Sequence, residues 1–185
     1  MPTGTTKTKH GTLLATIATL ILAGIAGRLI PHAPNATPLT ALALVSGAAL
    51  GGYLGLIVPV MSLLFTDLLI GTYTTEVMIS VYLCFMLPVI FGRLVLKKDR
   101  RPWLVSSLAI VSSAIFFLTT NFTIWYFGNW YPPTWQGLIA CYTAALPFAV
   151  NMIVADLVWS AVLFSALALI EGRRLLHWSP NSLKA

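Results

Sequence analysis

Apolar runs of membrane-spanning length recur along this chain, and each tolerates at most a charge or two. Asn151 to Ile170 carries only Asp156, and Leu54 to Ile70 carries only Asp67. A helix needs about 17 to 25 apolar residues to cross a hydrocarbon core of about 30 Å, where only helices and closed barrels satisfy every backbone group. A barrel would instead show alternating segments of about ten residues. With 58% of residues hydrophobic and 9% charged, the 185 residues read as an all-α integral membrane domain. The expected architecture is a six-helix bundle over 12–171 between cytoplasmic tails at 1–11 and 172–185. The first apolar run holds Arg28 and no clear cleavage site, so it reads as a permanent helix and not a signal peptide.

Helix breakers set the expected bounds. The first helix runs from Thr12 to Ile30, ahead of Pro31 and Pro34, and the second from Leu39 to Leu50. Gly51 and Gly52 turn the chain into a third, Leu54 to Ile70, which contains Pro59. The fourth covers Val77 to Leu96, the fifth Trp103 to Thr120 and the sixth Asn151 to Ile170. Gln136 to Phe148 rises only about 20 Å and cannot cross, so it is expected as a short extra outer helix before helix six.

Six crossings put Lys7 and Lys9, the cluster Lys97, Lys98, Arg100 and Arg101, and Arg173 with Arg174 on one side, which the positive-inside rule makes cytoplasmic. Both termini then lie in the cytoplasm. The net charge of +6 is thus a topology signal, and nucleic acid is excluded as a partner. The chain has no phosphate-binding loop, no HExxH and no GxSxG, so it carries no ATP-hydrolysing machinery. His32 is the only histidine placed to serve an intramembrane hydrolase on the outer side.

That orientation collects the buried charges. Arg28, Asp67 and Asp156 all fall toward the outer leaflet, and His32, Asn35, Glu76 and Asn121 join them from the outer loops. A charge near the bilayer centre costs about 2.5 to 3.5 kcal/mol even on lenient scales, so such groups pair or line a cavity. Two readings follow: Arg28 clamps one carboxylate as a packing device, or the group forms a polar cup for a ligand. The stretch Asn121 to Trp135 holds Phe122, Trp125, Tyr126, Phe127, Trp130 and Tyr131. It is either an interfacial aromatic belt or a lid over a flat ligand.

Glu76, Ser80 and Cys84 repeat every four residues on helix four, which puts the thiol at the expected floor of the cup. A cysteine in an apolar helix is ordinarily a small hydrophobe, while its thiolate is a soft ligand for cobalt, copper or zinc. Cys141 reads as packing, and no CxxC or Cys/His spacing suggests a disulfide framework or a zinc site. Small residues form two stripes, Ala15, Thr19, Ala23 and Gly27 on helix one and Ala43, Gly47 and Gly51 on helix two. Such stripes let helix backbones approach, within one protein or against another subunit.

The strings RLIPHAPNATP (Arg28 to Pro38), TDLLIG (Thr66 to Gly71), LTTNFTIW (Leu118 to Trp125) and YPPTWQGLIACYTAALPF (Tyr131 to Phe148) resemble small bacterial transport proteins related to the substrate-binding S-components of energy-coupling-factor (ECF) vitamin transporters. The resemblance spans about Arg28 to Glu171. It implies six helices, a ligand pocket near the outer face of the bacterial inner membrane, and contact through helix one with an ECF coupling subunit and its ATPases. Cys84 in VYLCFMLP is similar to the pocket cysteine of BtuM-type cobalamin transporters, which coordinates cobalt and promotes loss of the cyano ligand. By that likeness Cys84 is the axial and catalytic ligand to the cobalt of cobalamin, the bound substrate. Arg28, His32, Asn35, Asp67, Glu76, Ser80, Asn121, Trp125, Tyr131 and Asp156 would line the site. The alternatives are an S-component for another small vitamin, with Cys84 structural, and a membrane scaffold without a ligand.

Overall fold

A computed structural model describes residues 4–172, with side chains from residue 10 onward. The side chains of Lys7 and Lys9, and Arg173, Arg174 and His177, lie outside the described residues. Six α-helices follow one another: α1 (Gly4–Leu29), α2 (Leu39–Ala49), α3 (Gly52–Ile70), α4 (Thr75–Phe91), α5 (Pro102–Phe127) and α6 (Trp135–Ile170). A π-helical turn, Gly92–Leu96, extends α4. No strand occurs among the described residues. Five helices are long and apolar enough to cross a membrane, and the chain is that of a helical membrane protein.

The exception is α2. Its 11 residues rise only about 16 Å, too little to span the hydrocarbon core alone, so the six helices are five long ones around a short one, and the connection 30–38 makes up the rest of that passage. Ten of those residues, Leu39 to Ala48, are buried. With α3, α4 and α6 all packed on it, α2 is the core of the bundle. Glycine makes the fit possible. A Cβ on Gly47 would run into the Val89 carbonyl, and one on Gly92 into the Leu44 carbonyl, so α2 and α4 touch backbone to backbone.

Proline inside a helix removes a donor, and the freed carbonyl needs another partner. Pro59 cannot donate to the Gly55 carbonyl of α3. The Ser46 hydroxyl of α2 lies 2.9 Å from that oxygen and supplies the missing hydrogen bond. The same hydroxyl is 3.0 Å from the Ala43 carbonyl, so one proton is shared between two acceptors.

Two expected boundaries are corrected. Helix five does not stop at Thr120 but continues through Phe127, and Gln136 to Phe148 is no separate helix. It forms the first third of α6, a single helix of 36 residues, about 54 Å long, with Pro147 inside. Pro147 and Asn151 read as breaks by soluble-protein rules, yet in lipid an uninterrupted backbone ladder costs less than an exposed turn. In addition α1 begins at Gly4, inside the expected tail.

The connections 30–38, 71–74 and 128–134 gather at one end of the bundle. Those at 50–51 and 97–101 lie at the other, where Arg100 pairs with Glu171 at 2.6 Å. We refer to these as the cavity end and the basic end.

Replacing Gly92 by alanine is expected to destabilise the bundle by about 1–3 kcal/mol through overpacking against Leu44. Gly11→Ala, whose added methyl meets nothing within 4 Å, should leave thermal unfolding unchanged or slightly later, and melting curves of the two variants check this.

Candidate functional site

Because α2 starts below the surface at Leu39, the space above it is left to the connection 30–38 and to a cavity of about 900 Å³. That is near the top of the usual range for small-molecule sites, about 300–1,000 Å³. Leu39, Leu63, Val81 and Phe85 form its floor and are themselves a packed apolar cluster. Phe116 leans on Phe85 with ring centroids 5.2 Å apart, and Phe117 continues the aromatic wall. His32, Asn35, Tyr73, Thr74, Trp130 and Tyr131 line it from the loops.

The loops are tied in place by side chains. Asn151 of α6 donates to the Pro34 carbonyl at 3.2 Å, and the His32 ring sits 2.8 Å from the Ala33 carbonyl and 3.3 Å from that of Arg28. Asn35 adopts φ 63°, a left-handed conformation that asparagine tolerates better than most residues. Across the cavity, the Trp125 indole donates to the Pro132 carbonyl at 3.1 Å, and Thr134 caps α6 by accepting from the Gly137 amide at 3.1 Å.

One cation serves the site. Arg28 Nη2 lies 2.9 Å from Asp67 Oδ1, with the two side chains 16% and 4% exposed. The contact is short, but its angles do not make a hydrogen bond, so charge holds the pair together. Asp67 Oδ2 accepts from the Tyr82 hydroxyl at 3.1 Å, and Tyr73 is a further hydrogen-bond partner of Asp67. Arg28 Nη1, in contrast, is buried with no partner while the residue lines the cavity. Five fixed N–H donors cannot all be spent on one carboxylate. The arrangement therefore leaves the guanidinium beside the cavity with a donor that no protein group uses.

Of the residues expected to form the site, the cavity brings together Arg28, His32, Asn35, Asn121 and Tyr131. Asp67 stands behind Arg28 as its counter-ion. The other residues expected at the site lie outside this lining. Glu76 is exposed on the first turn of α4, and the Ser80 hydroxyl returns to the Val77 carbonyl at 2.8 Å. Trp125 fastens a loop, as described. Cys84 is buried at 5% exposure with Thr119 of α5 as its hydrogen-bond partner, outside the lining. Of the four-residue stripe on α4 only Cys84 meets α5, and the cavity is lined by Val77, Val81 and Phe85, which sit one position further round. Asp156 is likewise enclosed, at 1% exposure.

Cys141, expected as packing, lines the cavity, with its thiol 3.5 Å from the Asn121 carbonyl. The aromatic lid is reduced to Trp130 and Tyr131. Phe122, Trp125, Tyr126 and Phe127 belong to the last turns of α5, where they stack on one another. Sequence reasoning missed Tyr73, Phe116 and Phe117, because nothing separates a cavity aromatic from a lipid-facing one in an apolar run. Among the described residues, no group of three or more His, Cys, Asp or Glu side chains is placed to hold a metal ion.

A family model described as "Family of unknown function (DUF6580)" matches residues 8–180, nearly the whole chain, and the protein belongs to that family. No curated protein and no solved structure matches it.

Asp67→Asn leaves a buried arginine without its counter-charge and is expected to cost about 3–5 kcal/mol. The pair Arg28→Met with Asp67→Leu should recover most of that loss. A double-mutant cycle read by thermal unfolding would show coupling well above 1 kcal/mol if the ion pair is structural.

Proposed function

We propose that this protein is a membrane-embedded solute-capture subunit of the S-component type, which binds a small vitamin-like molecule in the cavity and passes it across the membrane. The observation that carries the reading is a cavity of about 900 Å³ lined by Arg28, a cation one of whose nitrogens, the enclosed Nη1, has no partner within the protein. An apolar, aromatic chamber with one convergent donor group suits a ring-containing solute that bears a carboxylate or another strong acceptor. The positive-inside rule puts the basic end, with Lys97, Lys98, Arg100 and Arg101, in the cytoplasm, so the cavity faces outward.

Two features support partnership with a coupling subunit. Helix α1 is the least enclosed of the long helices, with 11% of its apolar window buried. Ala15, Thr19 and Ala23 are exposed, while Gly27 of the same stripe is used internally against Pro38.

The cobalamin reading is favoured by one observation, a thiol at the cavity, but that thiol belongs to Cys141. A cobalt bond to Cys84 would require its side chain to leave Thr119 and turn toward Val81 and Phe85. The vitamin without a metal is therefore the first reading and the corrinoid the second.

A thermal-shift screen of the purified protein against water-soluble vitamins tests the first. A carboxylate-bearing ligand should raise the melting temperature of the parent and have no effect on Arg28→Met, since a ligand that binds only the native state stabilises it by mass action. Absence of any stabilising solute would contradict capture. For the second, the visible spectrum of protein loaded with cyanocobalamin is compared with Cys84→Ala and Cys141→Ala. A shifted spectrum lost in either variant assigns the cobalt ligand, and no retained corrinoid in the parent removes cobalamin.

A further inference from the structure

Asp156 is a carboxyl group on a membrane-spanning helix with no opposite charge near it. Its neighbours are hydroxyls: Ser113 Oγ of α5 lies 2.7 Å from Asp156 Oδ2, and Thr40 of α2 is a second hydrogen-bond partner. Among the described residues no Lys, Arg or His makes an ion pair with it. None of the elements packed most closely on this part of α6 can provide one. Helix α2 contains no titratable residue, and α5 contains no charged one, with Tyr126 near its far end as its only titratable group. On α6 itself the other titratable groups are Cys141 and Tyr142, more than three turns away.

Counting protons shows which form the geometry accommodates. The Ser113 hydroxyl has one proton and two acceptors in reach, Asp156 Oδ2 at 2.7 Å and the Ala109 carbonyl at 3.0 Å. If the carboxyl is ionised, Ser113 donates to it and leaves the carbonyl. If the carboxyl carries the proton, it donates to Ser113, Ser113 donates to Ala109, and both contacts are satisfied. The neutral acid also avoids the cost of an unpaired charge in hydrocarbon.

One helical turn further toward the basic end stands Ser160, at 1% exposure, whose hydroxyl has no partner. It lines a second cavity, of about 120 Å³, with Ser106, Ser165 and Arg100. Pro102, Val105, Ala161 and Phe164 complete the lining, and the space has room for a few waters, at about 30 Å³ each, beside the serines and Arg100. On the other side of Asp156, Met152 separates it from the large cavity.

We propose that Asp156 is a proton-binding site reached from the basic end through Ser160 and the small cavity, so that the bundle can take up and release one proton as it works. On release, the carboxyl O–H bond breaks, the Ser160 hydroxyl, enclosed and without a hydrogen bond in the resting structure, turns to hand the proton on to water in the small cavity, and the carboxylate accepts from Ser113 and Thr40. This makes α6 sensitive to the proton concentration at the basic end. The site does not depend on the identity of the solute in the large cavity, so it stands or falls separately from that reading.

Infrared difference spectroscopy of the purified full-length protein tests it. The parent should show, at neutral pH, the carbonyl-stretch band of a protonated carboxylic acid, which shifts on transfer to D₂O and disappears reversibly as pH is raised. Asp156→Asn, a nearly isosteric change, should abolish the band. Ser160→Val should keep the band but slow its deuterium shift by roughly an order of magnitude, since exchange would then need local opening of the bundle. Should Asp156→Asn fail to fold, the parent and Ser160→Val still decide. No protonated band, a band that survives in Asp156→Asn, or a deuterium shift as fast in Ser160→Val as in the parent would overturn the proposal.

Discussion

A short helix enclosed on every side by longer ones has no water to fall back on, and the rest of the bundle is arranged around that fact. α2 rises about 16 Å within a layer about 30 Å thick, so roughly half of the thickness above it must be filled by something else. The connection 30–38 and the large cavity fill it. Leu39, the first residue of α2, is accordingly also part of the cavity floor. At its other end α2 meets the π-turn at Gly92, where backbone contact leaves no room for a side chain. The helix that makes the core thus also decides where the cavity lies.

Polar groups in the interior follow the same rule, and they divide into two sets. Ser112, Thr66 and Thr123 return their hydroxyls to nearby carbonyls of their own helices and do nothing else visible. The second set is Arg28 Nη1 and Ser160 Oγ, enclosed and without a hydrogen-bond partner, on residues that line the large and the small cavity. A third such atom, Asp67 Oδ1, lies against Arg28 and outside both linings, where the ion pair accounts for it.

Much of this was legible in the residues. The apolar runs give the helices, the prolines at 31 and 34 and the glycines at 51 and 52 give two of the turns, and the pairing of Arg28 with a carboxylate follows from the cost of a bare charge. The length of α2 was also on view, yet its enclosure was not, because a buried short helix and a spanning one share the same composition. The joining of Gln136 to Phe148 with Asn151 to Ile170 into one helix was not legible, because the first stretch alone is too short to cross. Which face of a helix meets a cavity depends on rotation about its axis, and an apolar helix has too little polarity on any side to fix that rotation. Cys84 and Val81 could not be told apart on these grounds, and the fold assigns the cavity to Val81.

The account rests on the large cavity holding a solute against Arg28. Native mass spectrometry of the protein purified gently from membranes asks this directly. A non-lipid adduct of one defined mass on the parent, absent from the doubly substituted Arg28→Met, Asp67→Leu protein that keeps the fold, is the expected result. A parent spectrum carrying only lipid masses, identical in the double variant, would contradict it.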